Sequence, residues 1–454
     1  MNMRKIYLMV YAMLTLSSCG IYTNYHQAEE VPAGLYGEEV QVDESASVAE
    51  LSWKELFTDP TLQALIEQGL QNNTDLQSAQ LRVEQAGAAL LSAKLAYLPS
   101  FALAPQGTVS SFDKHEAVET YQLPVAASWQ LDIFGGIRNA KKQAKAVYAQ
   151  SQDYRQAVQT GVICGIANMY YTLRMLDEQL SISQETERSW QETVDAMRAM
   201  MNAGMANEAA VAQLEAAHLG VKASVLDLKE QINQVENSLS LLLAETLHHY
   251  ERGKLADQVI THDLSVGIPM QLLANRPDVR AAEKSIDAAA SLVGATVADW
   301  LPKFFVTGQI GGASEDFKQI FQKDKMYWQV APAIKWNIFS GTALSGQIQE
   351  AKAKTEMAVN SYNNVVLNAL QEVDNAMVGY KHSITEEDAY AVAHEQAQLT
   401  FDLALDLFKK GLIEFQNVLD AQRNLLSYEE AKVLAEANVS LSLVQLYLAL
   451  GGGY

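Results

Sequence analysis

Proline is distributed very unevenly in this chain, and its absences constrain the fold more than any other feature. None lies between Pro124 and Pro269, and none follows Pro332. Inside a helix, proline removes a backbone hydrogen bond and its ring clashes with the preceding turn, at about 3 kcal/mol. Both proline-free tracts are rich in Ala, Gln, Leu and Glu, so they read as very long helices. From about Arg138 to Ala203 the first would run 66 residues, roughly 100 Å if unbroken. Gly204 then offers a turn. The returning tract carries Val221, Val225, Leu228, Ile232, Val235, Leu239 and Leu242, alternating four and three residues apart. That spacing is the seam of a coiled-coil partner, so the tract predicts a long antiparallel hairpin. Gly411 marks the matching turn in the second tract.

One stretch breaks the helical pattern. "YQLPVAASWQLDIFGG" (121–136) places Tyr121, Leu123, Val125, Ala127, Trp129, Leu131 and Ile133 on one face of a strand. Gln122, Ala126, Ser128, Gln130 and Asp132 fall on the other, a period of two. A second such strand, "YWQVAPAIKWNIF", puts Trp328, Val330, Pro332, Ile334, Trp336 and Ile338 on one face.

These two strands belong to an internal duplication. Residues 73–107 repeat at 276–310: Asp75/Asp278, Ala79/Ala282, Ala86/Ala289, Leu98/Leu301, Pro99/Pro302, Phe101/Phe304 and Gln106/Gln309 match at an offset of 203. "IFGG" (133–136) answers "IFSG" (338–341) at 205, and the tip at 203–213 answers 410–420 at 207. Each copy predicts a helix begun by an Asn/Thr/Asp cap or a first-turn proline and ended by Leu-Pro. A strand, a short polar loop, a second strand and a long helical hairpin follow. The expected organisation is a leader at 1–18, an N-terminal segment at 19–58, copy one at 59–247 with its β-hairpin at 99–134, a linker at 248–270, and copy two at 271–454 with its β-hairpin at 302–339.

The net charge is −21, and losing Arg4 and Lys5 with the leader takes it to −23. Nucleic-acid affinity comes largely from Lys and Arg neutralising phosphates, so that partner class is excluded. The leader has a basic start, "MNMRK", and an apolar run, "IYLMVYAMLTL", too short to span a bilayer as a helix. "LSSCG" then resembles the bacterial lipoprotein cleavage box, in which Cys19 would become the first residue and carry a lipid. Gly20 resembles lipoproteins sent on to the outer membrane. Cys164 has no disulfide partner if Cys19 is lipidated, and reads as a small buried hydrophobe.

Strands crossing lipid must close into a barrel, because unpaired backbone groups cannot be left in hydrocarbon. Closure takes about eight strands, and four per chain therefore demand an oligomer. A soluble sheet covered by helices is the competing reading of the same strands. The lipobox, "NTDL…YLP", "RPDVRAAE…WLP", "SWQLDIFGG", "GLIEFQNVLDAQRNLL" and "LYLALGGGY" together resemble the TolC-like outer-membrane efflux proteins, lipoprotein branch, across residues 16–454. The resemblance implies a mostly α fold with transmembrane β: long antiparallel α-helical hairpins plus four strands per chain, completing a 12-stranded barrel as a homotrimer. It implies an equatorial belt from residues about 243–270 and the C-terminal tail. It also implies a periplasmic adaptor and an inner-membrane transporter as partners, outer-membrane localisation extending into the periplasm, and no cofactor beyond the lipid on Cys19.

Site residues follow from the same resemblance. The lipid-facing barrel residues would be Tyr121, Leu123, Val125, Trp129, Leu131, Trp328 and Trp336, with Gln122, Ser128, Gln130 and Asp132 toward the lumen. Adaptor-contacting tips would be Gly204, Met205, Gly411 and Leu412, although a helix turn alone calls for glycine there. Aligned on Gly411, the family's acidic constriction falls at Asn417 and Asp420, and only Asp420 keeps the carboxylate. By its residue type alone, Asp420 is a solvated acid. The family's latch Arg and Tyr are Ile413 and Phe408 here, and the copy-one acid is Ala210, so apolar packing by Phe408, Ile413 and Phe415 is the expected closure. Met197, Met200, Met201 and Met205 suit packing better than soft-metal binding. His248 and His249 read as surface residues, and no metal site is expected. No catalytic motif is found, so an enzyme is not expected. A peptide or protein secretion duct and a poreless coiled-coil scaffold remain as alternatives to a passive exit duct for small molecules.

Overall fold

A computed structural model of the chain describes residues 52–111, 116–253, 255, 276–337 and 343–452. The leader, Cys19, most of the 248–270 linker and Ile338 lie outside the described residues. The helices are α1 (Trp53–Leu56), α2 (Pro60–Asn72), α3 (Thr74–Leu95), α4 (Gly136–Asn202), α5 (Glu208–Leu242), α6 (Pro277–Ala298), α7 (Ala343–Lys409) and α8 (Phe415–Ala449). The strands are β1 (Ser100–Leu103), β2 (Gln106–Ser110), β3 (Val118–Leu131), β4 (Lys303–Ser314) and β5 (Met326–Lys335). Both copies resolve to the same lengths: α4 and α7 have 67 residues each, and α5 and α8 have 35 each. Cα packing divides the chain into two compact units, and each draws on both copies.

The first unit (residues 81–153 and 280–365) holds one antiparallel sheet in the order β1–β3–β4–β5, with β2 also paired to β3. The first stave is split at Ala104–Pro105 because proline has no N–H to donate. Its register nonetheless carries through the break, with Leu103 opposite Val125 and Gln106 opposite Gln122. Directly opposed residues share a face. Leu103, Val125, Ile310 and Trp328 therefore form one apolar row, Trp129, Val306 and Pro332 a second, and Leu131, Phe304 and Ile334 a third. The other face carries Ser100, Ser128 and Thr307, then Gln309 and Gln329, then Gln106 and Gln122.

Two indole N–H groups tie the strand ends to the helix ends before them. Trp129 donates to the Tyr97 carbonyl at 2.9 Å and Trp336 to the Trp300 carbonyl at 3.2 Å, one bond per copy. Asp132, the last residue expected on the polar face, has a local partner in the next helix. Its two oxygens accept the Ile137 and Arg138 amides at 2.8 Å each, capping α4. A carboxylate placed there satisfies orphan donors and meets the positive end of the helix dipole.

The second unit (52–80, 154–253, 255, 276–279 and 366–452 of the described residues) is built from the helical hairpins α4–α5 and α7–α8. The predicted seam on α5 forms: Val225, Ile232 and Leu239 are buried, with Val221, Leu228, Val235 and Leu242 half-buried between them. Cys164 is buried on α4, where desolvation pushes its thiol up to about 12. The N-terminal helices dock through Phe57, 1% exposed, whose ring meets those of Tyr171 and Tyr447. Asp59 caps α2 through the Thr61 amide and also accepts the Tyr170 hydroxyl at 2.6 Å and Arg174 at 3.0 Å.

The two returning helices end alike. After α5 the Ala244 and Glu245 amides reach back to the Leu241 and Ser240 carbonyls. After α8 the Gly451 and Gly452 amides reach back to Leu448 and Tyr447. This closure needs a left-handed residue, which is Gly451 in copy two (φ 92°) but Ala244 in copy one (φ 54°). Ala244→Gly is expected to raise the melting temperature in detergent, from a gain of about 1 kcal/mol as Cβ strain is relieved. Gly451→Ala should lower it by more, since a Cβ there would lie 3.0 Å from the Arg276 Cγ.

Candidate functional site

The hairpin tips are built the same way in both copies. Gly204 (φ 75°) follows α4 and Gly411 (φ 73°) follows α7, each left-handed, with open space where a side chain would sit. The Met205 and Leu412 amides bond back to the Met200 and Leu407 carbonyls. The residues just past the glycines, Met205 and Leu412, are 69% and 67% exposed. Conformation alone thus accounts for the glycines, whereas two apolar side chains at the turns remain without cover within the chain. The next helix start differs: Asn207 caps α5 by accepting the Ala210 amide at 2.8 Å, and Glu414 before α8 makes no such side-chain bond.

Behind the tips, Trp190, Val194, Met197, Val211, Leu214 and Leu419 form a buried cluster that draws on α4, α5 and α8. Met200, Met201 and Phe415 pack against it, so three of the four methionines are placed by apolar packing. Phe408 meets Phe415 with ring centroids 5.2 Å apart, and Ile413 is half-buried beside them in sequence. Asn417 and Asp420 are both exposed. Asp420 accepts from the Gln416 amide at 3.0 Å, and Gln416 in turn accepts from Gln213 at 3.0 Å. Gln213 is the residue at offset 207 from Asp420, so an amide chain joins the two copies' versions of one position. A second polar link runs from Gln422 to Ser189 at 3.4 Å.

Pattern reading overlooked a junction that each copy builds with a different residue. Asn73 accepts the Asp75 and Leu76 amides and donates to the Leu242 carbonyl at 2.9 Å. Arg276, its equivalent at offset 203, donates to the Ala449 carbonyl at 2.5 Å, and Ala449 is Leu242 at offset 207. In both copies, then, the residue before the short helix satisfies a carbonyl at the end of the last long one. Arg276, 6% exposed, also holds Asp278 at 2.8 Å and Glu372 at 2.6 Å. Burial would raise the Asp278 carboxyl, but the hydrogen bonds and charge of Arg276 outweigh it and hold it below the usual carboxylate value. The signal was available as the 203 and 207 offsets, but the two offsets had to be combined before the pair could be seen.

His248 and His249 are both exposed, as expected, and the His249 Nδ1 lies 2.7 Å from Glu236. Glu236 also takes Arg252, which bridges to Asp177 and ties residues 249–252 to α4 and α5. Among the described residues, no three His, Cys, Asp or Glu side chains are grouped to hold a metal ion. Among them, too, no helix is long and apolar enough to cross a membrane.

Paired long hairpins, a duplicated plan and a sheet with one apolar and one polar face define the class: a TolC-like outer-membrane duct. The chain belongs to the outer membrane efflux protein family, whose model matches it twice, over residues 65–245 and 268–452. The antibiotic efflux pump outer membrane protein ArpC of Pseudomonas putida is 28% identical, over 97% of this chain and 93% of that protein. The cation efflux system protein CusC of Escherichia coli O6:H1 is 26% identical over 97% of each. The open-state outer membrane channel MtrE of Neisseria gonorrhoeae matches in structure with a TM-score of 0.85 and 27% identity, over 94% of this chain and 98% of that one. The protein is an outer-membrane efflux channel.

The capping junctions should differ in strength. Arg276→Ala is expected to cost about 2–3 kcal/mol, and Asn73→Ala about 1–2 kcal/mol, read as lowered melting of purified protein. Because the folded Asp278 carboxyl is depressed, its contribution is present above the ordinary carboxylate value and is lost as pH falls below it. Asp278→Asn should therefore lower melting at neutral pH, change it little in acid, and so flatten the acid side of the stability profile.

Proposed function

We propose that the chain works as one third of a passive exit duct, in which three copies share one barrel and one helical tunnel. The carrying observation is the sheet. Its four staves have an apolar and a polar face, and β1 and β5 each pair on one side only among the described residues. Four antiparallel staves begin and end in opposite directions, so β5 of one copy can meet β1 and β2 of the next without breaking the alternation. Eight strands are the smallest useful membrane barrel. Three copies supply twelve strands, as the TolC-like architecture requires, and the four long helices of each chain supply twelve in the tunnel.

The apolar face, from Tyr121, Leu123, Val125, Trp129, Leu131, Trp328 and Trp336, faces lipid, and the glutamine and serine rows face the lumen. A covalent lipid on Cys19 anchors the N-terminus, and no other cofactor is needed. The exposed Met205 and Leu412 at the tips are the contact for a periplasmic adaptor, which joins the duct to an inner-membrane transporter. Asp420, repeated about the axis, forms a carboxylate ring that favours cations at the constriction. Phe408 against Phe415, with Ile413 and the neutral Gln213–Gln416 link, replaces the ionic latch of the family. Small molecules pass without chemistry, so the role is conduction and not catalysis.

Purified protein in planar bilayers should conduct, with Asp420→Ala lowering its preference for potassium over chloride. A protein that stays silent, even when tip residues are also substituted, overturns the duct. Palmitate labelling of cells should be lost in Cys19→Ala, and label that persists in that variant rules out this anchor.

A further inference from the structure

The connection between β4 and β5 reads in the sequence as a short polar loop, "SEDFKQIFQKDK". It is folded back onto the sheet instead. Gly312 lies opposite Leu123 and Met326, so a side chain there would project on the same face as Tyr121 and Val125. Ile320 from the loop fills that space. A Cβ on Gly312 would overlap the Ile320 carbonyl and sit 2.8 Å from its Cγ2. Ile320 is only 2% exposed, and both Gly311 and Gly312 are buried. On the same face the Phe317 ring packs edge-on against Tyr121, with centroids 5.7 Å apart. Asp316 fixes the fold-back by accepting the Lys318 amide at 3.0 Å, starting a short 3₁₀ turn, Phe317–Gln319.

This loop lies over the apolar face and leaves its own aromatic rings uncovered. Phe317 is 63% exposed and Phe321 is 74% exposed. Lys318 and Lys323 on the same loop are exposed as well. Two bare phenylalanines are costly in water, since each can bury about 150–250 Å². Height along the sheet supplies the explanation. Tyr121 is eight residues up β3 from Trp129, which at about 3.4 Å per residue and a tilt of about 40° is roughly 20 Å. A barrel's apolar band is about 25 Å tall, with aromatic girdles at both margins. Trp129 and Trp336 mark one margin. At the other, β3 offers only Tyr121, and the remaining rings come from the loop.

We infer that the Glu315–Lys325 loop is a membrane-interface anchor, resting on the lipid-facing reading of this sheet. Phe317 and Phe321 enter the boundary between headgroups and acyl chains, while Lys318 and Lys323 meet the phosphates of the headgroups above them. The occupant is phosphate-bearing lipid, because the rings continue the apolar face of the sheet and the ammonium groups stand beside them.

The test uses full-length protein carrying Cys164→Ala and one added cysteine, Phe321→Cys, Val330→Cys or Gln329→Cys, labelled with an environment-sensitive nitrobenzoxadiazole dye. The parent without an added cysteine serves as the blank. Proteins are reconstituted in phosphatidylethanolamine–phosphatidylglycerol vesicles with or without brominated acyl chains. Emission at 321 and 330 is expected to fall about twofold or more in brominated lipid, as for rings within the apolar band, and emission at 329 to hold. Quenching at 330 without quenching at 321 overturns the loop anchor and leaves the barrel standing. Absence of quenching at both positions overturns the barrel reading itself. A blue-shifted but unquenched dye at 321 means that protein covers the loop, which also defeats the inference. Adding Lys318→Glu and Lys323→Glu should weaken quenching at 321 and leave 330 unchanged; equal quenching with and without them removes the phosphate contact.

Discussion

Everything in this protein hangs on the backbone hydrogen bonds at the two edges of a small sheet. A strand edge in water is satisfied by solvent, but in hydrocarbon each unpaired group costs several kcal/mol. A chain with four staves and one apolar face cannot meet that demand alone. The even number of staves makes closure through further copies geometrically simple, because alternation is kept at every junction. Apolar rows such as Leu103, Val125, Ile310 and Trp328 run across the whole width of that sheet on one face.

The duplication explains how such an object is specified by a single sequence, and its departures mark where the copies do different work. Helix lengths are kept to the residue, and each copy has an indole-to-carbonyl bond, Trp129–Tyr97 and Trp336–Trp300. Polar positions have drifted. The carbonyl at the end of α5 is met by neutral Asn73, and its counterpart on α8 by Arg276 with two carboxylates. One returning helix is capped by Ala244 and the other by Gly451. The first tip has an Asn207 cap, and the second lacks one. Each pair performs one geometric task with different chemistry, which is what duplication followed by separate selection produces.

Much of the candidate site was legible because it rests on period and punctuation. Tip glycines, the heptad on α5 and the two faces of β3 are local patterns, and each is found where the spacing puts it. The capping task of Asp132 was hidden, because strict alternation shows only its face, whereas the start of α4 claims its oxygens. The fold-back of Ile320 onto Gly312 was invisible, since a hydrophobe within a polar loop carries no periodic signal. The Gln213–Gln416–Asp420 chain and the role of Arg276 join residues far apart in sequence, and composition says nothing about such meetings.

By itself the sequence determined the helical hairpins, their turns, the four amphipathic staves and the twofold repeat. These are set by backbone chemistry: proline exclusion, glycine at positive φ, and periods of 3.5 and two. Tertiary structure decided the sheet order and register, the burial of Arg276 and the covering of one strand face by a loop. It also decided that the compact units mix the copies, since α4 and α7 each contribute to both. Those outcomes depend on which side chains meet in space, at sequence separations from 8 residues (Gly312 and Ile320) to 173 (Arg276 and Ala449), and no periodic rule contains that information.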